Sequence, residues 1–191
     1  TPSASDYATQ GEYIFTGATV QSVICAENAK FAYNELGVRK AAILYGSDDA
    51  GVDINKSFSE SFTELGGEIV GSETYVKGTT KDFSPYLTKF KQAGAEFIYC
   101  GGQYDDTALA IQQARNLDMN IPMMGMAATA RQELIDICGE DVEVENGGYY
   151  AMTNYAPDYP DEDFQAFKTK YEETYGIALE NHAVATYDLM T

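Results

Sequence analysis

Residues 99–117, YCGGQYDDTALAIQQARNL, run from an apolar stretch through a Gly pair and two acids into a segment with helical spacing. The stretch reads as a β-strand that turns at Gly101-Gly102 and enters an amphipathic helix. Two glycines at such a corner predict a sharp turn and a close approach to the backbone. A phosphate would ordinarily suit the positive end of the helix. Asp105 and Asp106 fall in its first turn and would repel one, so the corner reads as a binding edge for something other than a nucleotide.

The same unit recurs on both sides. Upstream, EFIYCGG completes a buried strand that follows a helix, SPYLTKFKQAG, with Pro85 near its first turn. Before that, AAILYG (41–46) is a short apolar run bounded by Gly and acids, the pattern of a strand buried on both faces. Residues 51–65 follow it with Ile54, Phe58, Phe62 and Leu65 at helical spacing, and EIVGSETYV (68–76) is strand-like. Residues 19–36 place Val20, Val23, Ile24 and Phe31 near one helical face, with Gly37 as the terminating glycine. Downstream come a strand at 121–126, a helix at 129–139, a strand at 147–155, and helices at 161–175 and 182–191. Met119, Met123, Met124 and Met126 read as core around the 121–126 strand.

Strands alternating with helices in this way predict an α/β fold, a doubly wound parallel sheet with helices on both faces. In such sheets ligands sit beyond the carboxyl ends of the strands. Three glycine-marked corners lie there: Gly46–Gly51, Gly101–Tyr104 and Gly125–Thr129. They predict a common rim.

Composition narrows the partners. The chain of 191 residues carries 12 basic and 30 acidic side chains, a formal charge of −18, which argues against nucleic acid or anionic lipid. The acids are spread along the chain, as on a solvated surface. Cys25, Cys100 and Cys138 have no metal-ligand spacing and read as reduced, buried thiols. TPSAS, with no initiating Met, reads as the interior of a longer chain from which an upstream signal could have been cut away.

Enzyme chemistries find little support. Neither GxGxxG nor GxxxxGK[ST] follows a strand, and no cofactor is expected. Asp48-Asp49 would suit an acidic metal pocket, but the later strand ends that should complete it read CGGQ and MMGM. His182 is the only histidine and there is no GxSxG. Carboxylate pairs in so acidic a chain read as solvated faces rather than acid and base.

Taken in order, these segments resemble the periplasmic binding proteins of the leucine/isoleucine/valine type, the substrate-binding components of ABC transporters. The resemblance is carried by TPSAS with GEYIF, by KAAILYGSDDAG, by ENHAVATYDLM, and above all by the block from TTKDFSPYLTKF to IPMMG. It implies two α/β lobes closing on a solute. Residues 1–18 would be the end of lobe one and the crossing segment, 19–153 lobe two, and 154–191 a return into lobe one. It also implies no catalysis, a small-molecule solute such as an amino acid, and an ABC permease in the membrane as partner. The location would be periplasmic or extracellular, with a lipid anchor in a preceding segment. The alternative in the same fold is a ligand-sensing receptor ectodomain.

The site residues carried over by the resemblance are Ser3, Ala4 and Ser5 for the solute's carboxylate. Asp49, Ala50, Gln103, Tyr104, Met126 and Ala127 would form the opposite wall. Here the chain departs from the branched-chain pattern: Ala50 stands where an aromatic is found, Gln103 where a Tyr is found, and Ala127 where an acid holds the ammonium. The resemblance then implies either a bulkier solute or an amine held by Asp48, Asp49 or Asp105.

Overall fold

The computed structural model describes residues 19–153, 156, 158–179, 183, 184 and 187. Five parallel strands form one sheet: β1 (Lys40–Gly46), β2 (Glu68–Tyr75), β3 (Phe97–Gly101), β4 (Met123–Gly125) and β5 (Tyr149–Ala151), in the order β2-β1-β3-β4-β5. The helices that accompany them include α1 (Gln21–Lys30), α2 (Asp49–Glu64), α3 (Ser84–Gln92), α4 (Tyr104–Asn116), α5 (Gln132–Cys138) and α6 (Glu162–Tyr175). The predicted doubly wound sheet is what the chain forms. Its predicted helix at 182–191 lies largely outside the described residues.

Alternation along the strands explains the two layers. On β1, Ala41 and Ile43 face one cluster and Ala42 and Leu44 the other, all buried. The first cluster holds Cys25 and Ala29 of α1 with Ile54, Phe58 and Phe62 of α2, closed against Phe97 and Tyr99 of β3. The second holds Leu87 and Phe90 of α3, Ile111 and Ala114 of α4, and Leu134 of α5. Phe58 is the hub of the first layer: its ring stacks on Tyr99 with centroids 4.0 Å apart and on Phe62 at 5.6 Å.

Three expectations need correction. Val23 is 51% exposed, because α1 turns Gln21, Ile24, Cys25, Asn28 and Ala29 inward instead. Polar Gln21 and Asn28 can face the core because each has a partner: Gln21 Nε2 donates to the Ala50 carbonyl and Asn28 Nδ2 to Tyr99 Oη, at 2.9 and 2.8 Å. The helix then widens into a π turn over Phe31–Glu35 before Gly37, with the Leu36 N–H donating to the Phe31 carbonyl. Strands β4 and β5 are three residues each, shorter than the runs read from hydrophobicity, and α5 begins only at Gln132 after a 3-10 turn at Ala127–Thr129.

The cysteines are buried and unpaired, and burial pushes their thiols up, Cys25 and Cys138 to about 11 and Cys100 to about 12. Met119, Met123 and Met124 are core, as expected; Met126 is half-buried and its Sδ accepts from Tyr99 Oη at 2.8 Å.

Candidate solute-binding rim

The strand order 2-1-3-4-5 puts the switch point between β1 and β3, from which the chain leaves in opposite directions, and in such sheets the carboxyl edge at that point is where ligands bind. The first and second glycine corners end these two strands. The registers hold the three corners level: Tyr45 pairs with Gly101, and Cys100 with Gly125. Asp49 and Ala50 open α2, Gln103 caps and Tyr104 opens α4, and Met126 and Ala127 follow β4. The six candidate residues of this wall therefore share the ends of three adjacent strands. Asp49 and Gln103 are exposed, and Ala50, Tyr104, Met126 and Ala127 are half-buried. Ser3, Ala4 and Ser5 lie outside the described residues.

The glycines serve a different purpose from the turn predicted for them. Gly101 and Gly102 are not among the residues with positive φ. They are glycines for want of room: a Cβ on Gly102 would lie 1.9 Å from Tyr75 Oη. A Cβ on Gly51 would lie 2.0 Å from the Gly46 carbonyl oxygen, so the first turn of α2 rests on the end of β1.

Charge around the first corner is committed to structure. Asp48 accepts from the Gly51 N–H at 3.0 Å as N-cap of α2, and Lys77 Nζ lies 2.9 Å from its carboxylate. Burial tends to raise the Asp48 pKa, but the Lys77 and Gly51 bonds outweigh it and hold it below the usual carboxylate value. With its carboxylate so engaged, Asp48 is the weakest of the three acids as an ammonium ligand.

Asp106 also departs from the solvated helix-end role read from the sequence. It is 2% exposed and accepts from the Gly78 N–H at 3.0 and 3.2 Å through its two oxygens, fastening the loop between β2 and α3 to α4. Burial, and then repulsion from Asp105, raise its pKa against the Gly78 bond and the charges of Lys81 and Lys77. A carboxyl whose folded-state pKa is raised binds its proton more readily in the folded chain. Its contribution to stability therefore grows as pH falls from neutral through that raised pKa toward the ordinary 3.8, and is absent well above it. Asp106→Asn can still accept from Gly78 but cannot titrate. In parallel urea titrations, wild type should gain stability relative to Asp106→Asn on acidification through that window; a gap independent of pH would show that Asp106 is not strained as a carboxylate.

The third corner is braced by hydrogen bonds that the sequence reading missed. Thr129 Oγ1 donates to the Met126 carbonyl at 2.6 Å and lies 2.5 Å from Tyr149 Oη. A threonine three residues beyond Met126, followed by a tyrosine in the next strand, was the available signal. Arg131 is placed with its guanidinium over the Tyr104 ring, 5.2 Å from the centroid, linking the second and third corners.

A larger concavity, about 470 Å³, runs back along α1 past Glu27, Phe31 and Asn34 to Tyr150 of β5. It reaches the carboxyl end of the edge strand β5 at Ala151 and Met152 but none of the three glycine corners, so the rim remains the better candidate. Among the described residues, no group of His, Cys, Asp and Glu is placed to hold a metal ion, and no helix is long and apolar enough to cross a membrane.

A five-stranded parallel sheet of this order, with helices on both faces, defines a doubly wound α/β fold. The periplasmic binding protein family model matches residues 1–191, and the chain belongs to that family. It is similar to the Leu/Ile/Val-binding protein of Citrobacter freundii, 24% identical over 115 residues that make up 60% of this chain and 31% of that one. A leucine-, isoleucine-, valine-, threonine- and alanine-binding protein of Pseudomonas aeruginosa is 22% identical over 160 residues, 74% of this chain and 43% of that one. Among solved structures, a leucine-binding protein of Thermotoga maritima superposes with a TM-score of 0.84 at 29% identity, covering 94% of this chain and 51% of that one. A solute-binding protein of Rhodopseudomonas palustris in complex with benzoate has the same fold, with a TM-score of 0.77 at 20% identity over 91% of this chain and 46% of that one. The chain thus spans about half the length of these solved relatives and less than half of the curated ones.

Proposed function

We propose that the chain supplies one wall of a two-lobed, non-catalytic binding protein that closes on an amino acid or another small carboxylate-bearing solute and delivers it to an ABC permease. On this reading residues 19–153 are lobe two, residues 1–18 cross from lobe one, and residues 154–191 return to it. The protein works outside the cytoplasm, in the periplasm or lipid-anchored at the cell surface. Membership of the periplasmic binding protein family supports the class. The observation that carries the site is the level alignment of three corners at the carboxyl edge of β1, β3 and β4. Binding would be hinge closure, with Ser3, Ala4 and Ser5 opposite this rim.

The solute differs from the branched-chain amino acids named for the Citrobacter, Pseudomonas and Thermotoga relatives. Ala50, Gln103 and Ala127 offer neither aromatic surface nor an acid for an α-ammonium. Calorimetric titration of the two-lobed protein with leucine should show no submicromolar binding. Submicromolar affinity would mean that other side chains make the contacts these three positions lack.

A further inference from the structure

Two of the residues that α1 turns inward are amides, Gln21 at 5% exposure and Asn28 at 1%. They stand about two turns apart and so share one face of the helix. An aliphatic side chain would fill either place, because exchanging a bonded polar pair for apolar groups of the same shape is close to neutral for stability. What a satisfied buried amide adds is direction, since it fits only where its partner is.

Both sets of bonds lead to the rim. Gln21 Nε2 donates to the carbonyl of Ala50, in the first corner, at 2.9 Å. Asn28 Nδ2 donates to Tyr99 Oη at 2.8 Å, and Tyr99 Oη donates in turn to Met126 Sδ, in the third corner, also at 2.8 Å. The polarity of this relay follows from its donors. Asn28 fills an acceptor position of the phenol and leaves its single hydrogen for a sulfur, and the Met126 thioether is nearer than the Cys25 thiol at 3.7 Å. Burial holds the Tyr99 pKa well above its ordinary value, so that hydrogen stays in place. Met126 is held from its other end as well. Its carbonyl accepts from the Thr129 N–H at 2.8 Å and from Thr129 Oγ1 at 2.6 Å, in the 3-10 turn that carries Ala127.

We propose that Gln21 and Asn28 are positioning residues for the rim, Gln21 acting directly on Ala50 and Asn28 acting through Tyr99 on Met126. Helix α1 thereby sets two of the three corners without supplying a residue to either. The inference rests on the solute-binding reading above for the use to which the rim is put. During hinge closure the first and third corners would travel with α1 as one body and keep their spacing around the solute. Amides that served packing alone would act on the whole layer, whereas positioning confines each to its own corner.

The test is amide hydrogen exchange, followed by NMR, on the two-lobed protein without solute. The variants are Gln21→Met and Asn28→Leu, each keeping the outline of the residue replaced, and Tyr99→Phe. Gly51 and Val52, whose N–H groups donate to Asp48, report the first corner. Thr129 and Ala130, donating to Met126 and Ala127, report the third, and Thr107, donating to Gln103, is the reference in the second. Gln21→Met should speed exchange at Gly51 and Val52 by roughly three- to tenfold relative to Thr107 and leave Thr129 and Ala130 unchanged. Tyr99→Phe should do the reverse and also shift the methyl resonance of Met126. Asn28→Leu should follow Tyr99→Phe by a smaller factor. Dividing by the Thr107 rate removes any change in global stability, so a less stable variant still reports. Rates that rise equally at all three corners, rates that rise at neither the first nor the third, or an unmoved Met126 methyl in Tyr99→Phe would overturn the inference. No solute enters this experiment, so its failure leaves the solute-binding reading intact. That reading fails separately, if no small solute raises the melting temperature of the two-lobed protein.

Discussion

With a solute at about 100 times its dissociation constant, the two-lobed protein should melt roughly 5 to 10 °C higher than without it, and the 191-residue chain should shift hardly at all. The first figure follows from linkage: a ligand at that ratio stabilises the folded state by about 2.7 kcal/mol. For a domain of about 150 to 250 residues each kcal/mol moves the midpoint by roughly 2 to 4 °C, and by less in a longer chain. The second follows from geometry. On the proposed reading the rim is one wall, and its Asp49 and Gln103 are exposed. A solute resting on it buries one side and bonds to one set of groups, so the same concentration lies far below its dissociation constant for the chain alone. Parallel thermal scans decide the matter. Equal shifts would mean that lobe two holds the whole site and that no clamp is needed.

Phe58→Ala should lower stability by roughly 3 to 5 kcal/mol, a fall in melting temperature of roughly 6 to 20 °C. Phe58 is fully buried, and its ring stacks on Phe62, Phe97 and Tyr99. Truncation leaves a hole between α2 and the two central strands that these neighbours cannot close without tilting the sheet. Tyr99 also depends on this packing, and its hydroxyl joins Asn28 of α1 to Met126 of the third corner. The loss should therefore reach the rim, with faster hydrogen exchange at Met126 and Ala127 as well as in α2. A destabilisation under 1 kcal/mol in a chemical denaturation series would show that the layer repacks freely and that Phe58 is not its hub.

The parts of the fold that were legible in the sequence are those where burial alone sets the pattern. AAILYG and FIYCGG are apolar at every position because both faces of β1 and β3 are covered, and Ile54, Phe58 and Phe62 keep strict helical spacing because α2 has one covered face. Where polar groups enter the core the pattern misled. Gln21 and Asn28 displaced Val23 from the inner face of α1 because long-range hydrogen bonds to Ala50 and Tyr99 satisfied them, and no local spacing reports such partners. Asp106 next to Asp105 looked like a solvated pair, but the Gly78 N–H, 28 residues away, draws one of them inward. The rim followed from the glycine corners once the sheet was recognised, whereas the space that demands those glycines, between Gly102 and Tyr75 or Gly51 and Gly46, exists only in three dimensions. Arg131 was invisible for the same reason: its meaning comes from Tyr104, on a different corner.

Hydrogen exchange on the two-lobed protein, with and without bound solute, tests the central claim most directly, because it reports where on this chain the solute acts. Closure on the rim predicts slowed exchange at residues 47–51, 102–104 and 126–131, at the carboxyl ends of β1, β3 and β4. The opposite edge, where residues 37–40, 66–68 and 94–96 lead into the strands, should exchange alike in both states. Protection confined to that opposite edge, or to the flank of α1 around Glu27 and Phe31, would contradict the account.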